Sequence, residues 1–360
     1  MKKERIQYLD LIKTISIILV VFCHYPTLNN ESVLGNIIMC LAWAAVPLFF
    51  MASGAVMLNT DSWNWKKFFF RLVKIYSVLC IWKLIYLFIA QSMGEIHYSK
   101  VELFKYLFLF AHIEGVADGV LWFMYAYLEV MLVSPIIWCL FNRENDEKMA
   151  LLIVGILTFI SGIGINSVNF IFQVISRVLN CNVLDFNNVA TILPFAGYSN
   201  MIFYFILGAV GHSHSEVITK RFGVVKNAKT MGALLIVIGV CGLILIKFFY
   251  TGTFRWNGIY LTNGYSWIST MFMAMGVFML FKGIKEHKIV KHLNDWIGRQ
   301  TMGIYYLHFP LSAWIWWKIE ADFQYYSLIS NCIKTLLILV VCTLITRLVK
   351  KIPLINELVK

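Results

Sequence analysis

The sequence predicts an all-α polytopic membrane protein with about ten transmembrane helices and both termini cytoplasmic. Three observations carry that prediction. Of 360 residues, 60% are apolar, 16% aromatic and only 14% charged, against about 25% charged in average soluble domains. Mean hydropathy over the chain is +0.73. The apolar residues gather into runs of the roughly 20 residues that a bilayer core takes, and Lys and Arg concentrate in alternate connecting segments.

The runs lie near 8–26, 34–58, 68–90, 119–141, 150–173, 196–211, 231–250, 266–283, 300–317 and 327–347. The run at 196–211 is the shortest. Met1 to Arg5 is basic, but no small-residue cleavage site follows the first run, so that span is expected to be retained. No period of 20 to 50 residues repeats, which argues against a solenoid.

Counting Arg347 at the last boundary, one set of connecting segments carries 21 Lys and Arg and the alternate set only 5. The richer set holds the N-terminus, 59–71, 142–148, 212–230, 282–299 and the C-terminus. This asymmetry places both termini in the cytoplasm. It also accounts for the net charge of +12. The bases are dispersed between apolar runs, with no single soluble basic face, so a nucleic-acid partner is not expected.

Trp63, Trp65, Trp122, Trp256, Trp267, Trp296, Trp314, Trp316 and Trp317 fall near run ends, where an aromatic belt at the interface is expected for most of them. The segments 91–118 and 174–195 are too polar to span and too apolar to be simple linkers. Short helices or re-entrant pieces are expected there. The eight cysteines form no C-x-x-C pair and lie mostly inside apolar runs, the pattern of small buried hydrophobes.

Ionisable residues inside spans are costly and usually face the bundle interior. The first span carries Asp10, Lys13 and His24. Lys13 and His24 are eleven residues apart, which returns to nearly the same helical face about 16 Å further on. Asp10 lies one turn before Lys13, close enough to pair. The plainer reading is a snorkelling Lys and an interfacial His; the alignment of three such groups favours a functional stripe.

Arg71 and Lys74, spaced i, i+3 at the inner mouth of the third span, suit a phosphate-bearing ligand; ordinary flanking charge would also explain them. "VPLFFMASG", Val46 to Gly54, puts Pro47 where it can open the helix mid-span. Its Ser53 and Gly54 would let a neighbouring helix approach. In "LWFMYAYLEVMLVSP", Leu121 to Pro135, Glu129 is a lone acid that needs a partner or a wet cavity. In "MGIYYLHFP", Met302 to Pro310, His308 is more often a structural hydrogen-bonding group than a catalyst. His212 and His214 form an H-x-H in an expected cytoplasmic loop, and with no third ligand in view no metal is expected. No Walker loop, G-x-S-x-G elbow, H-E-x-x-H or dinucleotide fingerprint occurs.

On these motifs the chain resembles the acyltransferase-3 family of integral-membrane O-acyltransferases over essentially its whole length. The family's base, ten residues and histidine match Lys13 through His24, with Lys where Arg is frequent. Its "VPLFFMISG" matches Val46 to Gly54, its R-x-x-R matches Arg71 and Lys74, its "LWF…SP" matches Leu121 to Pro135, and its "GIYxxH" matches Gly303 to His308. Two features depart from relatives. Val120 stands where many have His, and Tyr127 and Leu128 stand where the polysaccharide branch has paired acids.

The resemblance implies a single integral-membrane acyltransferase domain over 1–360, multi-pass in the plasma membrane, specifically the bacterial inner membrane. It implies no permanently bound cofactor. The donor would be acyl-CoA, acetyl-CoA first among them, and the acceptor a hydroxyl of an envelope glycan or lipid-linked sugar. His24, with Lys13 and Asp10, would be catalytic. Arg71 and Lys74 would hold CoA phosphates, and Glu129, Trp122, Tyr305 and His308 would meet the acceptor. The residues leave open whether His24 acts as general base or forms an acyl-histidine. A rival of another class is a lipid or glycan transporter, which ten spans and intramembrane charges also fit.

Overall fold

The computed structural model describes residues 5–24, 41–94, 96–142, 146–181, 186, 189, 192–193, 195, 197–221, 228–251, 264–284, 287–319 and 328–360. Among these residues the chain is helical, with no strand. In chain order the helices are α1 (Gln7–Cys23), α2 (Ala45–Met57), α3 (Trp65–Met93), α4 (Lys100–Phe108), α5 (Trp122–Phe141), α6 (Asp146–Phe159), α7 (Ile165–Leu179), α8 (Ser199–Arg221), α9 (Ala228–Thr251), α10 (Ile268–Lys282), α11 (Lys288–Trp296), α12 (Thr301–Ile319) and α13 (Leu328–Val349).

Each expected apolar run overlies at least one of these helices. Among the described residues, five stretches are long and apolar enough to cross a membrane by length and composition. They are Trp65–Met93, Gly119–Phe141, Lys148–Ser176, Ala228–Ile246 and Leu328–Val349. Ala45–Met57 and Ile268–Lys282 are apolar but shorter. The third of the five is continuous because a π-turn at Ile160–Gly164 joins α6 to α7. Of the two segments expected to hold short helices, 91–118 contains α4, which opens on a Ser99–Glu102 capping box. The other, 174–195, lies largely outside the described residues.

The contacts divide the chain into two compact units: Met1–Ser16, Asn30–Trp63 and Glu129–His287; and Ile17–Asn29, Asn64–Leu128 and Lys288–Lys360. In the first unit, glycine sets the helix crossings. A Cβ on Gly54 of α2 would lie 1.8 Å from the Phe205 carbonyl oxygen of α8, and one on Gly208 of α8 would lie 2.0 Å from that of Met51. Gly232 of α9 and Gly276 of α10 oppose each other in the same way, each clashing with the other's carbonyl oxygen if given a Cβ. Without a hydrophobic drive between helices in lipid, such backbone-to-backbone approach supplies the packing energy. Gly162 in the π-turn likewise makes room for the backbone nitrogen of Asn200.

Pro47 is the third residue of α2 and not mid-helix as the sequence suggested. The helix restarts at Ala45 after a turn at 43–44, and a missing N–H is cheap in a first turn. Pro135 does sit inside α5. It cannot donate to the Met131 carbonyl, and the Ser134 hydroxyl takes that role at 2.7 Å. The H-x-H pair lies within α8, not in a loop. His212 Nδ1 meets the Tyr8 hydroxyl, and Lys282 donates to the Gly211 carbonyl at 3.3 Å and to that of His212. Trp267 is buried and packs edge-on against Phe170, so it is core and not belt.

In the second unit, α12 and α13 cross where Gly303 leaves no room for a Cβ against Thr346. Helix α3 starts at Asn64, whose Oδ1 accepts from the Lys67 N–H at 2.9 Å. A short 3-10 turn at Ile355–Val359 packs back beside it. There Trp82 Nε1 donates to the Leu358 carbonyl at 2.9 Å, and Val359 is buried.

Candidate active site

Helix α1 forms because a largely apolar run, interrupted by Lys13, Thr14 and Ser16, follows its first turn, and it ends as the His24 N–H bonds the Val21 carbonyl at 3.3 Å. Asn331, buried on α13, donates its side-chain amide to the Phe22 carbonyl at 3.4 Å and is braced by the Thr335 hydroxyl at 3.0 Å. The last turn of α1 is thereby held, and His24 with it.

Helix α12 brings the second imidazole. Its Pro310 has no N–H for the Tyr306 carbonyl, and the buried Tyr86 hydroxyl of α3 donates there at 3.1 Å. Trp82 stacks on the Tyr306 ring, centroids 4.9 Å apart and planes within 1°. This fixes the turn bearing His308, whose ring centroid lies 5.1 Å from that of His24. Phe309 sits edge-on to His24 at 5.4 Å, and the Tyr305 ring is 6.1 Å from His308. Tyr305 donates its hydroxyl to the Val120 carbonyl at 2.7 Å, which seats the start of α5, and so Trp122, beside α12. His308 and Tyr305 are buried; His24 is exposed.

Thus three predicted residues, His24, His308 and Tyr305, come together in the second unit, while Trp122 opens the helix that follows the Val120 carbonyl bonded by Tyr305. Arg71 and Lys74 belong to the same unit, on α3. Arg71 donates to the Tyr127 hydroxyl at 3.0 Å, and Lys74 pairs with Glu357 of the C-terminal turn. Both cations therefore have intramolecular partners, and a phosphate at Lys74 would compete with a carboxylate. That carboxyl is held down at about 2 by its hydrogen bonds to Lys360 and Lys74.

Asp10 and Lys13 lie in the first unit and pair at 3.9 Å, with Arg5 on the other carboxylate oxygen at 3.5 Å. Lys13 thus shares the helix of His24, with the carboxylate between two cations. Glu129 also belongs to the first unit. Its partner is a backbone N–H: both carboxylate oxygens lie 3.1 Å from the nitrogen of Tyr198. The approach needs Gly197, where a Cβ would stand 2.5 Å from Glu129 Oε2.

Sequence reasoning missed Lys83. It is 1% exposed on α3, donates to the Ala111 carbonyl at 3.3 Å and lies over the rings of Tyr106 and Tyr125 at 4.5 and 5.3 Å. Beside it a buried Asp118 holds His112 Nδ1 at 2.6 Å. A Lys amid the 68–90 run was the available signal. Among the described residues no group of three His, Cys, Asp or Glu could hold a metal ion.

Helices throughout the described residues, several of them of membrane length and apolar, define a class: a helical membrane protein, here with two imidazoles brought together. The family is then settled by comparison. The chain matches the family model of the acyltransferase domain, acyltransferase-3, over residues 6–347, and belongs to that family. No curated protein and no solved structure matches the chain.

Proposed function

We propose that the protein moves an acyl group, acetyl first among the candidates, from cytoplasmic acyl-CoA to a hydroxyl of a cell-envelope glycan or lipid-linked sugar. The single observation that carries the reading is the meeting of His24 with His308, beside Tyr305, in a chain whose family is acyltransferase. His24 takes the proton of the acceptor hydroxyl. The oxygen then attacks the thioester carbonyl, the C–S bond breaks, and the CoA thiolate recovers the proton from the imidazolium. Proton transfer of this kind contributes about 10²–10⁴-fold.

In this reading Arg71 and Lys74 hold CoA phosphates after Lys74 exchanges Glu357 for the ligand, because a planar guanidinium and a point-charge ammonium are both suited to phosphate. Lys13, three turns before His24 on α1, supplies positive charge along the donor's path, and Asp10 sets its position. Trp122 and Tyr305 are assigned to the acceptor, His308 stands behind His24 on that side, and Glu129, two turns beyond Trp122 on α5, is the acid assigned to the acceptor. The protein acts as one integral-membrane domain of ten spans, both termini cytoplasmic, in the bacterial inner membrane. Its motifs resemble those of the enterobacterial common antigen O-acetyltransferase, which makes an acetyl donor and a lipid-linked sugar the first pair to try.

The experiment is direct. Purified protein, supplied with acetyl-CoA and an envelope glycan acceptor, is expected to release free CoA thiol and to add acetyl mass to the glycan. Acceptor translocation with no thiol released would replace this reading by a transporter.

A further inference from the structure

The two nitrogens of His308 have different commitments. The residue is 1% exposed. Its Nδ1 lies 2.6 Å from the Tyr305 carbonyl oxygen and 3.1 Å from that of Ile304. A carbonyl only accepts, so Nδ1 must carry the hydrogen. Flipping the ring would put a C–H against both carbonyls. In the neutral ring Nε2 is then a bare lone pair, buried, and without a hydrogen-bond partner among the described residues. Native structures rarely leave such an atom unmet, and those that do so often serve function.

The nearest imidazole is His24, centroid to centroid 5.1 Å, with planes tilted by 42°. Two rings joined by an ordinary N–H···N bond have centroids roughly 5 Å apart, from a donor–acceptor distance of about 2.9 Å plus the ring radii. The separation is therefore already that of a bonded pair, and a rotation of the exposed His24 ring completes the bond. Among the described residues no carboxylate forms an ion pair with either ring.

We propose that His308 is a positioning residue for His24. Its Nε2 accepts the N–H of one His24 nitrogen, so that the other His24 nitrogen presents its lone pair to the acceptor hydroxyl. This is the task of the carboxylate in a Ser–His–Asp triad, taken over by a neutral imidazole whose tautomer the backbone of α12 imposes. In the reaction His24 gains the hydroxyl proton on its free nitrogen and returns it to the departing CoA thiolate. The N–H held by His308 does not move, and His308 stays neutral throughout. The inference rests on the acyltransferase reading above.

The test uses the full chain in detergent micelles. His308→Leu keeps an apolar side chain but removes the lone pair. It is expected to lower kcat by about 100-fold or more, in the range seen when a base loses its orienting partner, with KM for acetyl-CoA unchanged. His308→Gln, whose Oε1 can accept the same N–H, is expected to recover at least about a tenth of the wild-type kcat, losing no more than one orienting hydrogen bond. Equal activity of the two variants, whether both lost or both normal, overturns the proposal.

Nitrogen-15 spectra of histidine-labelled protein add a readout independent of turnover. His308 is expected to show an unprotonated Nε2, and His24 a single tautomer that becomes a mixture in His308→Leu. A protonated Nε2 on His308, or an unchanged His24 signal in the variant, contradicts it. If wild-type protein releases no CoA thiol, the acyltransferase reading fails by itself, and the spectra still decide the pairing.

Discussion

The Tyr86 hydroxyl of α3 donates to the Tyr306 carbonyl of α12 at 3.1 Å, replacing the N–H that Pro310 lacks. A buried carbonyl left without a donor costs about 1–3 kcal/mol. Tyr86→Phe is therefore expected to lower stability by that amount, read as a fall in the thermal midpoint of the detergent-solubilised protein. Pro310→Ala restores the N–H, so the double variant should lose less than the sum of the two single changes. Strict additivity would show that the hydroxyl does not serve that carbonyl.

Gly54 and Gly208 leave the α2–α8 crossing no spare volume. A Cβ would stand 1.8 and 2.0 Å from backbone oxygens, which cannot give way as a side chain tip can. Gly54→Ala and Gly208→Ala should each destabilise by about 1–3 kcal/mol, the usual cost of overpacking. Gly155 in α6, where nothing lies within 4 Å, is the control. Gly155→Ala should be neutral or slightly stabilising. A thermal series on the three variants checks the ordering.

Glu357 sits between Lys74 and Lys360, and these hydrogen bonds lower its carboxyl from 4.5 to about 2. A depressed carboxyl favours the folded contact above its unfolded value. The contact should therefore be fully present above pH 4.5, weaken below it, and be lost as pH falls through about 2. Amide hydrogen exchange over 355–359, corrected for its intrinsic rate, should be unchanged from pH 7 to 5. If Lys74 also binds donor phosphate, Glu357→Gln should lower KM for acyl-CoA by a few fold, roughly one exposed charge interaction, with kcat unaltered. An unchanged KM would remove Lys74 from the donor site.

How much of this was legible in the sequence depends on whether the relevant contact is local. Asp10 and Lys13 are a turn apart, and their pairing follows from helix geometry alone. The need of Glu129 for a partner was readable from its place in an apolar run, but the partner, the Tyr198 N–H behind Gly197, comes from 69 residues away. Gly54 announced a close helix without saying which. His308 could not be placed beside His24, because 284 residues separate them and it takes contacts such as the Asn331–Phe22 and Tyr86–Tyr306 bonds to bring their helix ends together. Pro47 misled because composition alone shows a continuous run, whereas the backbone turns at 43–44 and makes it a first-turn proline. Lys83 stands amid an apolar run, but its burial depends on the aromatic rings of α4 and α5, which the local sequence does not reveal.

Everything proposed about catalysis turns on the imidazole of His24. The most direct measurement is the rate of free CoA thiol release from acetyl-CoA by the purified His24→Ala variant, beside wild type and with the same glycan acceptor. Because His24 is an exposed residue at the end of α1, the variant should insert and fold, losing no more than the stability of its one bond to His308. The account predicts a rate lowered by about 10²–10⁴-fold. Thiol release within a few fold of wild type, from a variant shown to be inserted and folded, would contradict it.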